Sequence, residues 1–214
     1  MALTSDEKIT NTVSINKIHF PDIIDDKIST EKFLDASRGV VEIVEKFGKL
    51  FAPVKHDIEG NVKKLNNKYS IDKERHNTLQ DMILLEKEQG ETIIATDALM
   101  WLRRCLYMIL LFFEKIVEDH NAGRATDDMV AFLKEAYKLS LEPYHGWMLQ
   151  QLFGLLSRTV PARDQLLKII ANGENVKDEI IIRDMEVYLK SLRLNVENLQ
   201  AFYETHDLEE KVKV

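Results

Sequence analysis

Residues 98–120 read ALMWLRRCLYMILLFFEKIVEDH. Wound at 3.6 residues per turn, Leu99, Trp101, Leu102, Leu106, Ile109, Leu110 and Phe113 point in nearly every direction. A helix that is apolar on all sides belongs in the middle of a protein, where other elements cover it. Its continuous apolar part, residues 105–113, is nine residues long and bounded by Arg104 and Glu114. That is about half of what a bilayer span requires, so this is a buried helix of a folded domain. Arg103 and Arg104 interrupt the pattern and need partners if the helix is central.

The flanking sequence supplies the cover. A helix is predicted from Ser29 or Thr30, with Glu31 in its first turn, Phe33, Leu34, Val40, Val41, Ile43 and Val44 on its apolar stripe, and Gly48 as its stop. Further helices are predicted over about 51–67, 72–89, 92–120, 126–141, from Pro143 to about 160, 162–172 and 176–204. Gly60 falls inside the second, where glycine usually marks a close approach. No period-2 alternation suggests a strand, and the eight glycines and four prolines suit long helices. The expectation is an all-α fold of about eight helices. Residues 1–29 read as an N-terminal arm pinned by Ile15, Ile18 and Phe20, and 30–214 as one domain. Residues 209–214 read as a frayed or surface-laid tail.

Composition narrows the function classes. The chain has 214 residues, 45% hydrophobic and 30% charged, enough for a sizeable core. A net charge of -7 argues against broad binding to nucleic acid phosphates. One cysteine, Cys105, makes no internal disulfide, which fits a reducing compartment such as the cytosol, and no signal peptide is evident.

One polar stripe stands out. Residues 55–64 read KHDIEGNVKK, and Asp57, Asn61 and Lys64 fall at i, i+4 and i+7, on one helical face. A carboxylate accepts hydrogen bonds, an amide does both, and an ammonium donates three, a set suited to hydroxyl groups. Polar residues at this spacing more often form a solvated face. Trp101 is either a core indole or a flat platform for a ring. His145, in PYHGW, is either a packed histidine or a donor aimed at a carbonyl. Trp147 and Met148 suit an exposed apolar tip at a membrane interface.

Enzymatic signatures fail on spacing. Asp25–Asp26 is followed by Lys27, Ile28 and Ser29, and Asp127–Asp128 by Met129, Val130 and Ala131, so neither repeats a carboxylate for magnesium. His56, Asp57 and Glu59 lack HExxH geometry, and no GxSxG elbow exists. No cofactor, metal or nucleophile site is expected.

DIxGNxxK over 57–64, ALMWLRR over 98–104 and YHGW over 144–147, in this order, resemble the glycolipid transfer protein family, with the likeness running from about 33 to 202. The resemblance implies a two-layer helical sandwich enclosing a hydrophobic lipid pocket, and a non-enzymatic carrier acting at the cytosolic face of membranes. It implies that Asp57 accepts from a ceramide amide and a sugar hydroxyl, Asn61 and Lys64 bond sugar hydroxyls, Trp101 stacks under the first sugar, and His145 donates to the amide carbonyl. It assigns the lipid chains to residues such as Phe33, Leu102, Met108, Phe112 and Phe153, and membrane docking to Trp147, Met148 and Tyr137. Ceramide-1-phosphate carriers of this family place a lysine at position 61 and arginines at 101 and 105. Here these are Asn61, Trp101 and Cys105, so a sugar headgroup is expected. Asp97 and Val212 depart from relatives, which carry an apolar residue and a site-closing tyrosine there. The expected partners are a glycosphingolipid and, transiently, a membrane surface, with no protein partner indicated. A lipid sensor, a ceramide-1-phosphate carrier or a helical adaptor are the alternatives.

Overall fold

The structure, a computed structural model, describes residues 19–90, 93–210 and 213–214. Among them are eight α-helices: α1 (Thr30–Glu45), α2 (Ala52–Ile71), α3 (Leu79–Glu88), α4 (Ile94–Asn121), α5 (Val130–Ser140), α6 (Trp147–Leu156), α7 (Arg163–Ile170) and α8 (Asp178–Thr205). No strand occurs among the described residues, only isolated bridges such as Ser29–Thr78. The all-α expectation holds. Ile15, Ile18 and Val212 lie outside the described residues.

The apolar stretch is the axis of the fold. α2, α5, α8 and α3 pack around α4, and α1 lies against α2. Leu99, Leu102, Leu106 and Leu110 are wholly buried. The start of α4 is held from outside: Glu86 accepts from the backbone N–H of Ala95 and Thr96, at 3.0 and 2.8 Å, and from the Thr96 hydroxyl at 2.8 Å. A carboxylate at a helix N-terminus satisfies free N–H groups and opposes the helix dipole. The Tyr203 hydroxyl donates to Thr96 O at 2.6 Å and fixes α8 to the same turn.

Three expectations about the helices change. α3 begins at Leu79 rather than near 72, because Thr78 caps it, accepting from Asp81 N at 3.2 Å, while 72–78 turns back against the N-terminal segment. Thr30 donates to His76 O at 2.8 Å, and Ile28 N to Gln80 Oε1 at 3.0 Å. Gly60 marks no close approach, since a Cβ there meets nothing within 4 Å. The helix predicted from Pro143 is broken: Glu142–Tyr144 is a 3-10 turn, His145 is extended (φ -93°, ψ 133°), and α6 starts at Trp147.

The tail causes that last break. Val214 N donates to Tyr144 O at 3.0 Å, and Gly146 N donates to Val214 O at 2.7 Å, pulling the chain out of helical geometry. A Cβ on Gly146 would stand 3.0 Å from Val214 O. Val214 is therefore pinned rather than frayed. Glu209 pairs with both Arg103 and Arg104, and Arg104 donates to Glu210 O at 2.7 Å. This shared carboxylate answers the two buried guanidiniums of α4.

Candidate functional site

α2 and α4 lie side by side and run in opposite directions. On α2 the cleft-lining sequence is Asp57, Asn61, Lys64; on α4 it is Cys105 and Trp101, while Asp97, one turn before, does not line the cleft. At one end the Cys105 thiol donates to Asp57 Oδ2 at 3.4 Å. Burial first, then the nearby Asp57 charge, pushes the thiol well above its ordinary pKa, so it keeps its proton. At the other end Lys64 acts on Asp97, whose carboxyl is raised by burial and by Glu210 and Glu86. Asn61, between them, is 5% exposed. Among the described residues its amide and the Lys64 ammonium have no hydrogen-bond partner.

His145 closes the third side. Its ring stacks on Trp101, centroids 6.0 Å apart and planes at 25°. Its carbonyl accepts from Gln150 Nε2 at 2.8 Å, and its Nδ1 lies 3.0 Å from the Tyr137 hydroxyl. Burial lowers the His145 pKa; Asp57 opposes and Arg104 adds to this. Burial, with Glu142, pushes Tyr137 up to about 12. The Arg104 guanidinium lies 4.9 Å from the Trp101 ring centroid and 3.5 Å from that of Tyr144, bracing the indole by cation–π contact.

All five residues expected to hold a headgroup, Asp57, Asn61, Lys64, Trp101 and His145, line one open cleft of about 850 Å³. Val54, Met108, Phe153 and Leu156 line both this cleft and an apolar recess of about 40 Å³ behind it. Of the residues expected against lipid chains, Met108, Phe112 and Phe153 line the recess. Phe33 and Leu102 do not. Both are wholly buried, and Phe33 packs edge-on to Phe20 at 5.6 Å.

Trp147 and Met148 are 75% and 76% exposed at the start of α6. Tyr137 does not join them. It is 4% exposed, stacks on Phe153 at 3.7 Å, and reaches His145 instead. A buried ring touches no membrane, and this one packs behind the cleft residues His145 and Phe153. Sequence reading missed Leu152 and Leu155, which with Met148 make an exposed apolar stripe at i, i+4, i+7, and Leu50 on the opposite lip. It also missed Val214, which lines the cleft.

A family model for glycolipid transfer proteins matches residues 28–172, more than half of the chain. The chain belongs to the glycolipid transfer protein family. The Glycolipid transfer protein of Xenopus tropicalis is 30% identical over 84% of this chain and 88% of its own. Human Pleckstrin homology domain-containing family A member 8 is 34% identical over 86% of the chain. The chain spans only 36% of that relative's length. A solved structure showing how FAPP2 selects simple glycosphingolipids using the GLTP fold has a TM-score of 0.82 at 31% identity, over 95% of this chain and 97% of that one. Human ceramide-1-phosphate transfer protein bound to its 12:0 ligand has a TM-score of 0.79 at 17% identity, over 93% and 96%, which shows a shared fold. The family's lipid transfer role fits the joined cleft and recess. No helix among the described residues is long and apolar enough to cross a membrane.

Proposed function

We propose that this chain carries glycosphingolipids between membranes without covalent chemistry. One observation carries the reading: five hydroxyl- and ring-binding side chains from α2, α4 and the 144–146 link face one cleft, whose walls continue into an apolar recess. In this reading Asp57 accepts from the ceramide amide N–H and a sugar hydroxyl. Asn61 and Lys64 offer donors that nothing among the described residues occupies. Trp101 carries the apolar face of the first sugar.

His145 donates to the amide carbonyl. With the Tyr137 proton retained and given to Nδ1, the ring hydrogen is assigned to Nε2. Asp57 and His145 then read both ends of one amide, which a diacylglycerol lacks. An unmatched partner leaves polar groups unpaired at about 1–3 kcal/mol each. The exposed Trp147 and Met148 supply contact with the membrane surface.

A sugar is favoured over a phosphate because Asn61, Trp101 and Cys105 bring no cation, and Arg104 is already occupied by Glu209 and Glu210 O. Transfer of fluorescent galactosylceramide, ceramide-1-phosphate and phosphatidylcholine between vesicles tests this. Transfer of galactosylceramide alone is expected. Transfer of ceramide-1-phosphate instead would overturn the sugar assignment, and transfer of none would overturn the carrier reading.

A further inference from the structure

The apolar recess has a front and a back. Val54, Met108, Phe153 and Leu156 make the front, since they also line the cleft. Val40 of α1 and Tyr188 of α8 line the recess but not the cleft, and mark its back. Beyond Val40 the same face of α1 continues toward the helix N-terminus as Ser37 and Phe33, three and seven residues earlier. Phe33 stands about 10 Å farther on, at the helical rise of about 1.5 Å per residue. Both residues are wholly buried, yet neither lines the recess.

Phe20 fills the space that would otherwise extend it. Its ring meets Phe33 edge-on at 5.6 Å and Tyr188 at 6.0 Å. One side chain of the N-terminal segment thus touches both the back wall of the recess and the buried stretch of α1 behind it. Its seat is fastened. Asn195 of α8 donates to Pro21 O at 2.9 Å, Ile28 N donates to Gln80 Oε1 at 3.0 Å, Leu79 N donates to Ile28 O at 2.9 Å, and Lys27 pairs with Asp81 at 2.7 Å. These bonds tie residues 21–28 to α8 and α3, and the Phe20 ring is buried with them.

We propose that Phe20 is the back stop of the recess and sets the longest acyl chain that this protein carries readily. The inference rests on the carrier reading of the same cavity. A chain that parts the recess runs back until it meets the Phe20–Tyr188 contact. Further methylenes must then displace a seated aromatic ring or stay in water, and each one left out forfeits its burial. The competing role for Phe20 is plain core packing. That role predicts a lower melting temperature and the same loss of binding for every chain length.

The test equilibrates the full chain with vesicles holding equal amounts of palmitoyl and lignoceroyl galactosylceramide, the second with the much longer chain. The lipid carried off by the protein is identified by mass spectrometry. Comparing variant with unmodified protein cancels the vesicles' own preference between the two lipids. Phe20→Ala is expected to raise the lignoceroyl-to-palmitoyl ratio at least about fourfold, the worth of one methylene newly buried. Phe20→Leu, which keeps an apolar filler and guards against misfolding of the alanine variant, is expected to raise it less. An unchanged or lowered ratio in the folded variants, equal losses of both lipids included, overturns the back stop and leaves the carrier reading intact. If the unmodified protein carries off neither lipid, both readings fall together.

Discussion

The outer cleft and the inner recess share four side chains, yet one holds about 850 Å³ and the other about 40 Å³. The cleft is preformed. Its polar groups are held by an Asp57–Cys105 contact, a Trp101–His145 stack and the Tyr137–His145 bond, and they wait with bonding capacity unspent. The recess is far smaller and lies among close-packed apolar side chains, so on the proposed reading a hydrocarbon chain enters by parting the residues that line it. Burial of about 0.8 kcal/mol per CH₂ drives that opening. On the proposed reading, selectivity and affinity are thereby separated in space: a preformed headgroup cleft stands in front of a yielding store for chains.

The separation breaks most visibly if the headgroup site is removed and the store kept. Asp57→Val is expected to abolish glycolipid transfer while far-ultraviolet circular dichroism stays helical. Retained transfer would mean that the recess alone selects the cargo. Trp147→Ala touches neither half and should act at the membrane. A three- to tenfold slower transfer is expected, from roughly 1 kcal/mol of lost aromatic burial. Vesicle co-sedimentation should fall with it, and unchanged partitioning would remove Trp147 from docking.

Tyr137→Phe sharpens the boundary, because Tyr137 stacks on a recess residue and bonds a cleft residue. Loss of one neutral hydrogen bond of about 0.5–1.5 kcal/mol predicts a two- to tenfold slower transfer. The same histidine sets a pH dependence. Burial holds the His145 pKa below its ordinary 6.5. The folded state therefore binds fewer protons than the unfolded one between the two values, and stability rises with pH there. The contribution is complete above 6.5 and is lost as pH falls through the lowered value. A ring titration by NMR should give a midpoint below 6.5, and Asp57→Asn should lower it further by removing an opposing charge.

Gly60 supplies the smallest effect. Nothing lies within 4 Å of a Cβ there, so Gly60→Ala should raise stability by about 0.5–1 kcal/mol in urea titration and leave transfer alone. Slower transfer in that variant would show that bound lipid, rather than protein, needs the space.

Much of this was legible in the chain itself. The all-round apolar pattern of 98–120 identified the central helix, and the three short motifs drew the cleft residues from distant parts of the sequence. What stayed hidden depends on long-range partners. Nothing local reveals that Glu209 answers Arg103 and Arg104, or that Val214 pairs around His145 and breaks a helix there. Residues 72–89 read as one helix, and only the long-range contacts of residues 28–30 with 76–80 show why it starts at Leu79. Phe33, Leu102 and Tyr137 are apolar or aromatic residues whose neighbours, not their types, determine whether they face lipid, core or membrane.

The central place of α4 also has a history during synthesis. Its most extensive cover is α8, the last helix, which reaches back to tie Tyr203 to Thr96. At about 5–20 residues per second, on the order of ten seconds pass between completion of α4 and completion of α8. For that interval the nascent chain holds its most apolar segment without its main partner. On the proposed carrier reading, a protein that shields another molecule's hydrocarbon from water spends that interval with its own least covered.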